Sequence, residues 1–179
     1  LVGEIRDKET AQIAIQASMT GHLVLSTLHT NDTSSAVTRL MDFDIEPFKV
    51  ASALLGVMAT RLLKKLCVQC KEPHKPSDAE LKVLGITRGE LKNGVIYKQG
   101  PGCDACSNIG YVDRLAVHEL LVVDDDLKSL VAQTQDANTI KKMALEKGLK
   151  TLRDSAMQKV VLGLTSLEEA LQSTQDEVE

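Results

Sequence analysis

The sequence contains few aromatic residues and no excess of positive charge. Among its 179 residues there are no Trp, two Tyr and two Phe, and the formal net charge is −4 at pH 7. Proteins that bind single-stranded nucleic acids use aromatic side chains to stack the bases and basic surfaces to contact the phosphates. Because both features are missing, the composition argues against a nucleic acid partner.

Long apolar runs are also missing. No run approaches the roughly 20 apolar residues that a membrane-spanning helix needs, and no signal-peptide pattern opens the sequence. A hydrophobic fraction of 43% and a charged fraction of 26% are typical of a globular protein with a substantial core. The sequence starts at Leu1, inside an apolar run, so we expect it to be the C-terminal portion of a longer protein.

The N-terminal segment predicts a strand, a helix and a second strand. Residues 1–5 read as the end of a strand, Asp7 is a suitable N-cap for a helix over 8–20, and Gly21 would end that helix. The segment 22–28, HLVLSTL, is rich in β-forming apolar residues. This order is typical of a βαβ unit, which predicts two buried, parallel strands.

The remaining elements are predicted from capping motifs and hydrophobic patterns. They are a helix over 34–43, a long helix over 47–66 that begins at Pro47, short helices capped by SDAE (77–80) and TRGE (87–90), a strand over 114–123, and helices from Asp124 onward, of which the last is capped by SLEE (166–169). Only the acidic tail QDEVE (175–179) is expected to be disordered.

Two chemically useful side chains lie at the ends of the two predicted strands. Glu4 lies at the end of the first strand, and His29 follows the second. Because the carboxyl ends of parallel strands share one edge of a sheet, both side chains should reach the same site. A carboxylate there can hold a magnesium-bound water, and an imidazole can contact a phosphate oxygen. Taken singly, the residues leave an alternative open, in which Glu4 pairs with Arg6 and His29 caps a loop.

The four cysteines form two CxxC pairs. Cys67 and Cys70 are followed after 32 residues by Cys103 and Cys106, all within a segment rich in Gly and Pro. This spacing is a strong signature of a closed, tetrahedral structural site, for which Zn²⁺ is the favoured metal. Disulfides, a redox CxxC pair and unrelated buried cysteines are weaker alternatives. His74 lies close to Cys70 in the sequence, but a solvated loop histidine is the better interpretation.

Several longer strings resemble a known protein family. VGEIRDKETA and TGHLVLSTLHTND resemble the Walker B motif and the histidine box of the secretion ATPases, the cytoplasmic motors of type II secretion and type IV pilus assembly. The resemblance continues through RLLKKLC, the CxxC pairs, GYVDRLAVHELL and GLTSLEEAL. It implies an α/β fold: part of a RecA-like P-loop NTPase core with parallel strands (1–66), a tetracysteine zinc-binding subdomain (67–110), and a returning strand with C-terminal helices (111–179).

The resemblance also implies roles for individual residues. Glu4 would be the Walker B glutamate, near Mg²⁺ and the attacking water, and His29 would lie near the γ-phosphate of ATP. The neighbourhood of the nucleotide and magnesium would include Gly3, Arg6, Asp7 and His22. The four cysteines would hold structural zinc, a feature of the secretion and pilus-assembly motors that the retraction motors lack.

Assembly and location follow from the same resemblance. Members of this family form homo-hexamers, work with inner-membrane platform proteins, and lie in the cytoplasm at the periphery of the inner membrane. Arg39, Arg61 and Arg114 could act on a neighbouring subunit, although solvated surface positions are the simpler interpretation. The pattern departs from the family at Ile109, where Thr is common, and at Asp113, where Gly is usual.

One motif that the chemistry needs is missing. No G-x-x-x-x-G-K-[ST] string, whose backbone and Lys would cradle the phosphates, occurs in the sequence. We therefore expect ATP hydrolysis only in a longer protein that supplies this loop, and none from the 179 residues alone. The rival interpretation is a zinc-ribbon module that docks a protein partner and has no catalysis of its own.

Overall fold

The computed structural model describes residues 1–174, which form eight α-helices and four β-strands. In chain order the elements are α1 (Lys8–Met19), α2 (Thr33–Asp42), α3 (Pro47–Ala53), β1 (Gly56–Leu66), β2 (Glu72–His74), α4 (Asp78–Leu84), β3 (Ile96–Lys98), β4 (Tyr111–Val122), α5 (Asp125–Val131), α6 (Ala137–Glu146), α7 (Leu152–Val161) and α8 (Leu167–Ser173). The predicted disordered tail, 175–179, lies outside the described residues.

The chain forms two compact units. The first contains Leu1–Ala59 and Glu119–Lys150, and the second contains Thr60–His118 and the described residues that follow Lys150. The long strands β1 and β4 pair with each other, and each contributes residues to both units.

The first unit is built from five helices and extended segments around one apolar core. Helix α3 packs against α1, α2 and α5, while α6 packs against α2 and α5. The core is made of small and branched side chains, including Ala11, Ile15, Val37, Leu40, Val50, Leu121, Leu127 and Ile140. This unit carries both predicted strand ends.

The second unit combines the cysteine segment with the C-terminal helices. Strands β2 and β3 pair antiparallel, with Glu72 opposite Lys98 and His74 opposite Ile96. Helix α7 packs against α4, α8 and β3. The fully buried side chains of the unit include Leu63, Ile96, Val117, Leu152 and Val160.

The predicted helix starts are confirmed where a local capping motif marks them. Asp7 accepts a hydrogen bond from the Thr10 N–H at 2.8 Å, and α1 ends just before Gly21, whose φ of +95° is unfavourable for other residues. Ser77 forms a complete capping box at the start of α4. Ser166 caps the last helix with its hydroxyl, which accepts a hydrogen bond from the Glu169 N–H at 3.1 Å.

The long helix predicted over 47–66 is wrong. Helix α3 ends at Ala53, and the chain continues as β1, which alternates between exposed and more buried residues. Residues of this segment such as Met, Leu and Lys favour helices, but pairing with β4 overrides that weak local preference. Gly56 permits the close approach of the strands, because a Cβ there would lie 2.9 Å from the Leu121 carbonyl oxygen. The predicted basic helix end at Lys64 and Lys65 is therefore part of a strand.

The expectation of two buried strands is also wrong. Residues 1–5 and 22–28 lie side by side, but neither segment forms a regular strand in the described chain, and Leu1 is 99% exposed. Val24 and Leu28 pack against the core, whereas Leu23 and Leu25 are 73% and 59% exposed. One face of the second segment packs against the core and the other faces solvent. The continuous apolar run therefore does not mean that both faces are buried here.

Among the described residues, no helix is both long enough and apolar enough to cross a membrane.

Candidate functional site

The structure brings Glu4 and His29 together. The Nε2 atom of His29 lies 3.2 Å from the Glu4 Oε2 atom, and the Arg6 Nε atom donates to the same oxygen at 2.6 Å. The side chains of Arg6 and His29 are 72% and 85% exposed, and that of Glu4 is 32% exposed. A carboxylate between two nitrogen donors is thus held at a surface that solutes can reach.

Two backbone hydrogen bonds explain how these side chains meet. The N–H of Val2 donates to Leu25 O, and the N–H of Ile5 donates to Thr27 O, both at 2.9 Å. The partners advance together along the two segments, so 1–5 and 22–28 run parallel, as predicted. Their carboxyl ends consequently lie side by side, which places Glu4 next to His29.

The other three residues predicted to border this site do not all lie beside Glu4. Gly3 lies beside Glu4, and its carbonyl accepts a hydrogen bond from the Thr27 hydroxyl at 2.8 Å. Asp7 uses its carboxylate to cap α1. His22 lies at the opposite end of its extended segment from His29, roughly 20 Å along the chain at about 3.3 Å per residue. There it approaches the Thr20 hydroxyl and the Ala17 carbonyl. The structure does not bring His22 to Glu4.

The charge state of Glu4 follows from its neighbours. The hydrogen bond from Arg6 lowers the pKa of Glu4, and the positive charge of Arg6 and the contact with His29 act in the same direction. The carboxylate is therefore ionised at neutral pH. An ionised carboxylate with a lowered pKa is a weak proton acceptor but a good group for orienting a water molecule or holding a hydrated cation.

The four cysteines form one cluster. Their sulfur atoms all lie within 4.8 Å of one another, with Sγ–Sγ distances of 3.7 Å for Cys67–Cys103 and 3.8 Å for both Cys70–Cys106 and Cys103–Cys106. None is in a disulfide. A tetrahedral zinc ion with Zn–S bonds of about 2.3 Å needs sulfur atoms about 3.8 Å apart. The donor set and its spacing therefore fit such a metal ion.

Backbone donors complete the environment of the cluster. The N–H groups of Cys103 and Gly110 point at the Cys106 sulfur from 3.2 and 3.1 Å. Burial opposes thiolate formation at Cys106, but these donors outweigh it and lower the pKa of this thiol to about 6. Burial, together with hydrogen bonds to Cys106 and Cys67, raises the pKa of Cys70 to about 12. Without a bound cation the Cys106 thiol therefore ionises readily, whereas Cys70 keeps its proton, which metal binding would displace.

His74 is not part of the cluster. Its Nε2 atom instead lies 3.0 Å from a carboxylate oxygen of Glu80, which also closes the capping box of α4. The tetracysteine donor set is therefore compatible with the structure. The interpretation of His74 as a solvated loop residue is wrong, because His74 lies in β2 opposite Ile96 and its side chain is half-buried.

Three glycines shape the cluster, although the sequence analysis predicts no role for them. A Cβ at Gly100 would lie 1.6 Å from the Cys70 carbonyl oxygen, and one at Gly102 would lie 2.5 Å from the Asn108 backbone. Gly110 has a φ of +79° and would bring a Cβ within 2.8 Å of the Gly100 carbonyl oxygen. The only sequence signal for these contacts is the high density of Gly around the second CxxC pair.

The three arginines considered for action on a neighbouring subunit have varied surroundings. Arg39 pairs with Asp42 at 3.6 Å and stacks over the Phe43 ring. Arg61 donates to the Ser173 carbonyl at 3.2 Å, and Arg114 is exposed on β4. None of these arrangements tests a role at another subunit.

Comparison with known proteins identifies the family. A family model described as "Type II/IV secretion system protein" matches residues 1–172. The chain belongs to this family. It is 47% identical over 174 residues to the type IV pilus assembly ATPase PilB of Thermus thermophilus, and this match covers 97% of the chain and 20% of the relative.

Other members of the secretion family are similarly close. The type II secretion system protein E of Pseudomonas aeruginosa is 44% identical over 99% of the chain, and the type II secretion system ATPase E of Vibrio cholerae is 46% identical over 98% of it. The match covers 34% of each of these two relatives. The chain thus spans between a fifth and about a third of the length of the curated relatives that it matches.

Solved structures of a pilus retraction motor and of an ATPase share the fold. A crystal structure of the pilus retraction motor PilT with bound ADP matches 96% of the chain and 39% of its own length, with a TM-score of 0.62 and 22% identity. The ATPase DotB of Yersinia pseudotuberculosis matches 97% of the chain and 36% of its own length, with a TM-score of 0.64 and 17% identity. At these identities the likeness concerns the fold alone, and it confirms the predicted α/β class.

Proposed function

We propose that the chain is the C-terminal portion of a hexameric motor that hydrolyses ATP to drive type II protein secretion or type IV pilus assembly. Membership of the secretion family supports this proposal, as do relatives whose names describe them as ATPases. The motor would act in the cytoplasm, at the periphery of the inner membrane, and on platform proteins of that membrane.

The observation that carries the proposal is the contact between Glu4 and His29. Two parallel segments deliver a carboxylate and an imidazole to one edge, 3.2 Å apart. Bound ATP and Mg²⁺ would supply the phosphoanhydride and the cation that polarises it. Glu4 would orient the attacking water beside the cation, and His29 would contact the terminal phosphate through its exposed imidazole.

Arg6 has a supporting role in this proposal. Its guanidinium keeps Glu4 ionised and fixes the direction of its carboxylate through the 2.6 Å hydrogen bond. Because an ionised carboxylate with a lowered pKa removes protons poorly, Glu4 would act mainly by holding and orienting water. Gly3 places no side chain beside this group, and a Cβ there would meet nothing within 4 Å.

The site needs a phosphate-binding loop that the 179 residues do not contain. The direct experiment compares the chain alone with a version extended at its N-terminus through a P-loop. We expect ATP turnover only from the extended protein, because phosphate binding depends on the P-loop backbone and Lys. Turnover by the chain alone, at a rate that survives removal of contaminating ATPases, would contradict the proposed division of the site.

The cysteine cluster is proposed to hold structural Zn²⁺. Four sulfur donors at tetrahedral spacing leave no position for water or substrate, which is typical of a structural site. The metal would hold together residues 67–110, a segment poor in large apolar side chains, as a folded subdomain between the core (1–66) and the C-terminal part (111–179). Metal analysis of purified protein should give one zinc per chain, and reduced, metal-free protein with native stability would contradict this assignment.

A docking role for the cysteine segment is a second candidate. Val68, between the first two cysteines, and Ile109, after the last, are 73% and 58% exposed. Exposed apolar side chains on a metal-stabilised loop can contact a protein partner. If replacement of Val68 and Ile109 by Ser abolished secretion or pilus assembly but left ATP turnover intact, docking would be the function of this segment.

A further inference from the structure

Glu119 is a charged residue in a position that faces the core. It lies on β4 between Val117 and Leu121, and its exposed fraction is only 1%. An apolar residue would continue the alternation of this strand. A buried carboxylate is unfavourable unless hydrogen bonds compensate its desolvation, so such a residue calls for a physical reason.

Thr33 provides that reason. Both its backbone N–H, at 3.0 Å, and its hydroxyl donate to the Oε1 atom of Glu119. Thr33 is itself fully buried and is the first residue of α2, four positions after His29. Glu119 therefore fixes the start of α2, and with it the end of the turn that begins at His29.

A second contact holds the same turn from another element. The Lys141 ammonium, on α6, lies 3.0 Å from the Asp32 carboxylate, and both side chains are largely buried. Asp32 also caps α2 through the Ser35 N–H at 2.8 Å. The residues between His29 and α2 are thus held from β4 and from α6, and all of these residues belong to the first unit.

The imidazole of His29 depends on this turn for its position. Its side chain is 85% exposed, so little packing fixes it near Glu4. Exposed groups keep a productive geometry only when the backbone that carries them is held rigidly. The geometry points to Glu119 as a positioning residue that, through Thr33, holds His29 at Glu4. This inference rests on the proposed function.

The variant that tests it is Glu119→Leu, which keeps a side chain of similar size in the core but removes the oxygen that accepts both hydrogen bonds from Thr33. Thr33→Val removes only the hydroxyl donor and serves as the milder second variant if the first does not fold. Glu119→Gln retains an acceptor oxygen and should restore part of the effect. Glu90→Leu is the matched control, because Glu90 accepts from the N–H and hydroxyl of Thr87 in the same way, but in the second unit.

Two measurements separate positioning from a purely structural role. In the 179-residue chain, NMR should show displaced imidazole signals of His29 in Glu119→Leu and unchanged ones in Glu90→Leu. In the version extended through a P-loop, kcat should fall about 10- to 100-fold while KM for ATP stays within about twofold.

The outcomes also distinguish this inference from the proposed function. Unmoved His29 signals in both Glu119→Leu and Thr33→Val would overturn the inference, whatever happens to kcat. If the signals move as expected but His29→Ala leaves kcat unchanged, Glu119 does position His29, and the proposed role of His29 in hydrolysis is wrong.

Discussion

Replacing Gly100 by Ala should weaken metal binding by the cysteine cluster. The new Cβ would lie 1.6 Å from the Cys70 carbonyl oxygen and 2.5 Å from its carbonyl carbon. Non-bonded heavy atoms pack at about 3.5 Å, so the two backbones would have to separate by roughly 2 Å. Because the obstacle is backbone rather than a flexible side chain, no rotamer change can relieve the clash.

This displacement can be compared with what a metal site tolerates. Metal–ligand distances in real sites stay within about 0.2 Å of their ideal values, and the required shift is roughly ten times larger. Cys70 would be carried away from the other three sulfur atoms. We expect the affinity for Zn²⁺ to fall by at least about 100-fold, equivalent to about 2.7 kcal/mol.

Gly89→Ala is the matched control. It lies in the same cysteine-containing segment, has no positive φ, and a Cβ there would meet nothing within 4 Å. Its effect on stability should stay within about 0.5 kcal/mol, or a shift of about 2 °C in Tm. Zinc content and thermal unfolding of both variants provide the comparison. If Gly100→Ala retained the Zn²⁺ affinity and the Tm of Gly89→Ala, our account of how the glycines shape the cluster would be wrong.

Three further predictions concern backbone strain, the metal and pH. Asp113 has a φ of +63°, so Asp113→Gly should be more stable than Asp113→Ala by about 1 kcal/mol in chemical denaturation, and equal stabilities would refute the strain. Zinc-loaded protein should show no thiol that reacts rapidly with a disulfide reagent, whereas chelation should release all four, and four reactive thiols before chelation would exclude a closed site. Hydrogen bonds in the folded chain lower the pKa of several carboxyl groups. Each of these groups stabilises the fold at pH values above its pKa in the unfolded chain. That contribution is lost as the pH falls through the pKa of the group in the folded chain. Unfolding free energies should therefore decrease below about pH 4, and an increase between pH 4 and pH 3 would contradict the assignment. The carboxyls are Asp7, Glu80, Glu90, Asp124 and Asp136.

The features that could be predicted from the sequence are those that depend on nearby residues. The cap at Asp7 and the capping box at Ser77 are decided within three or four positions, so their motifs are sufficient. The CxxC spacing likewise predicts a cluster, because each pair of cysteines is held within one short turn. The approach of Glu4 to His29 was predictable from a general rule of parallel strands.

The features that were missed depend on contacts between distant residues. The helix predicted beyond Ala53 is a strand because of its pairing with β4, about 60 residues away in sequence. The need for glycine at Gly100 arises from the carbonyl of Cys70, and the burial of Glu119 is compensated by hydrogen bonds from Thr33. The density of Gly around the second CxxC pair is the one local signal for Gly100, and no local pattern marks Glu119 as buried.

The positive φ of Asp113 gives a physical reason for one departure from the family pattern. Glycine is the usual residue at this position in the resembling family, and glycine adopts such a conformation without strain. The short polar side chain of Asp makes it one of the few other residues that tolerate this region. The strand β4 therefore accommodates a positive φ at this position without glycine.

Single-turnover ATP hydrolysis by Glu4→Gln, in a version of the protein extended through a P-loop, tests the central claim most directly. Gln keeps the size of the side chain but loses the charge that would hold the water and the cation. We expect the hydrolysis step to slow by at least about 100-fold with ATP affinity nearly unchanged, while Glu9→Gln, an exposed glutamate in the first turn of α1, should behave as wild type. Hydrolysis by Glu4→Gln at a rate close to that of Glu9→Gln would show that Glu4 has no part in the reaction.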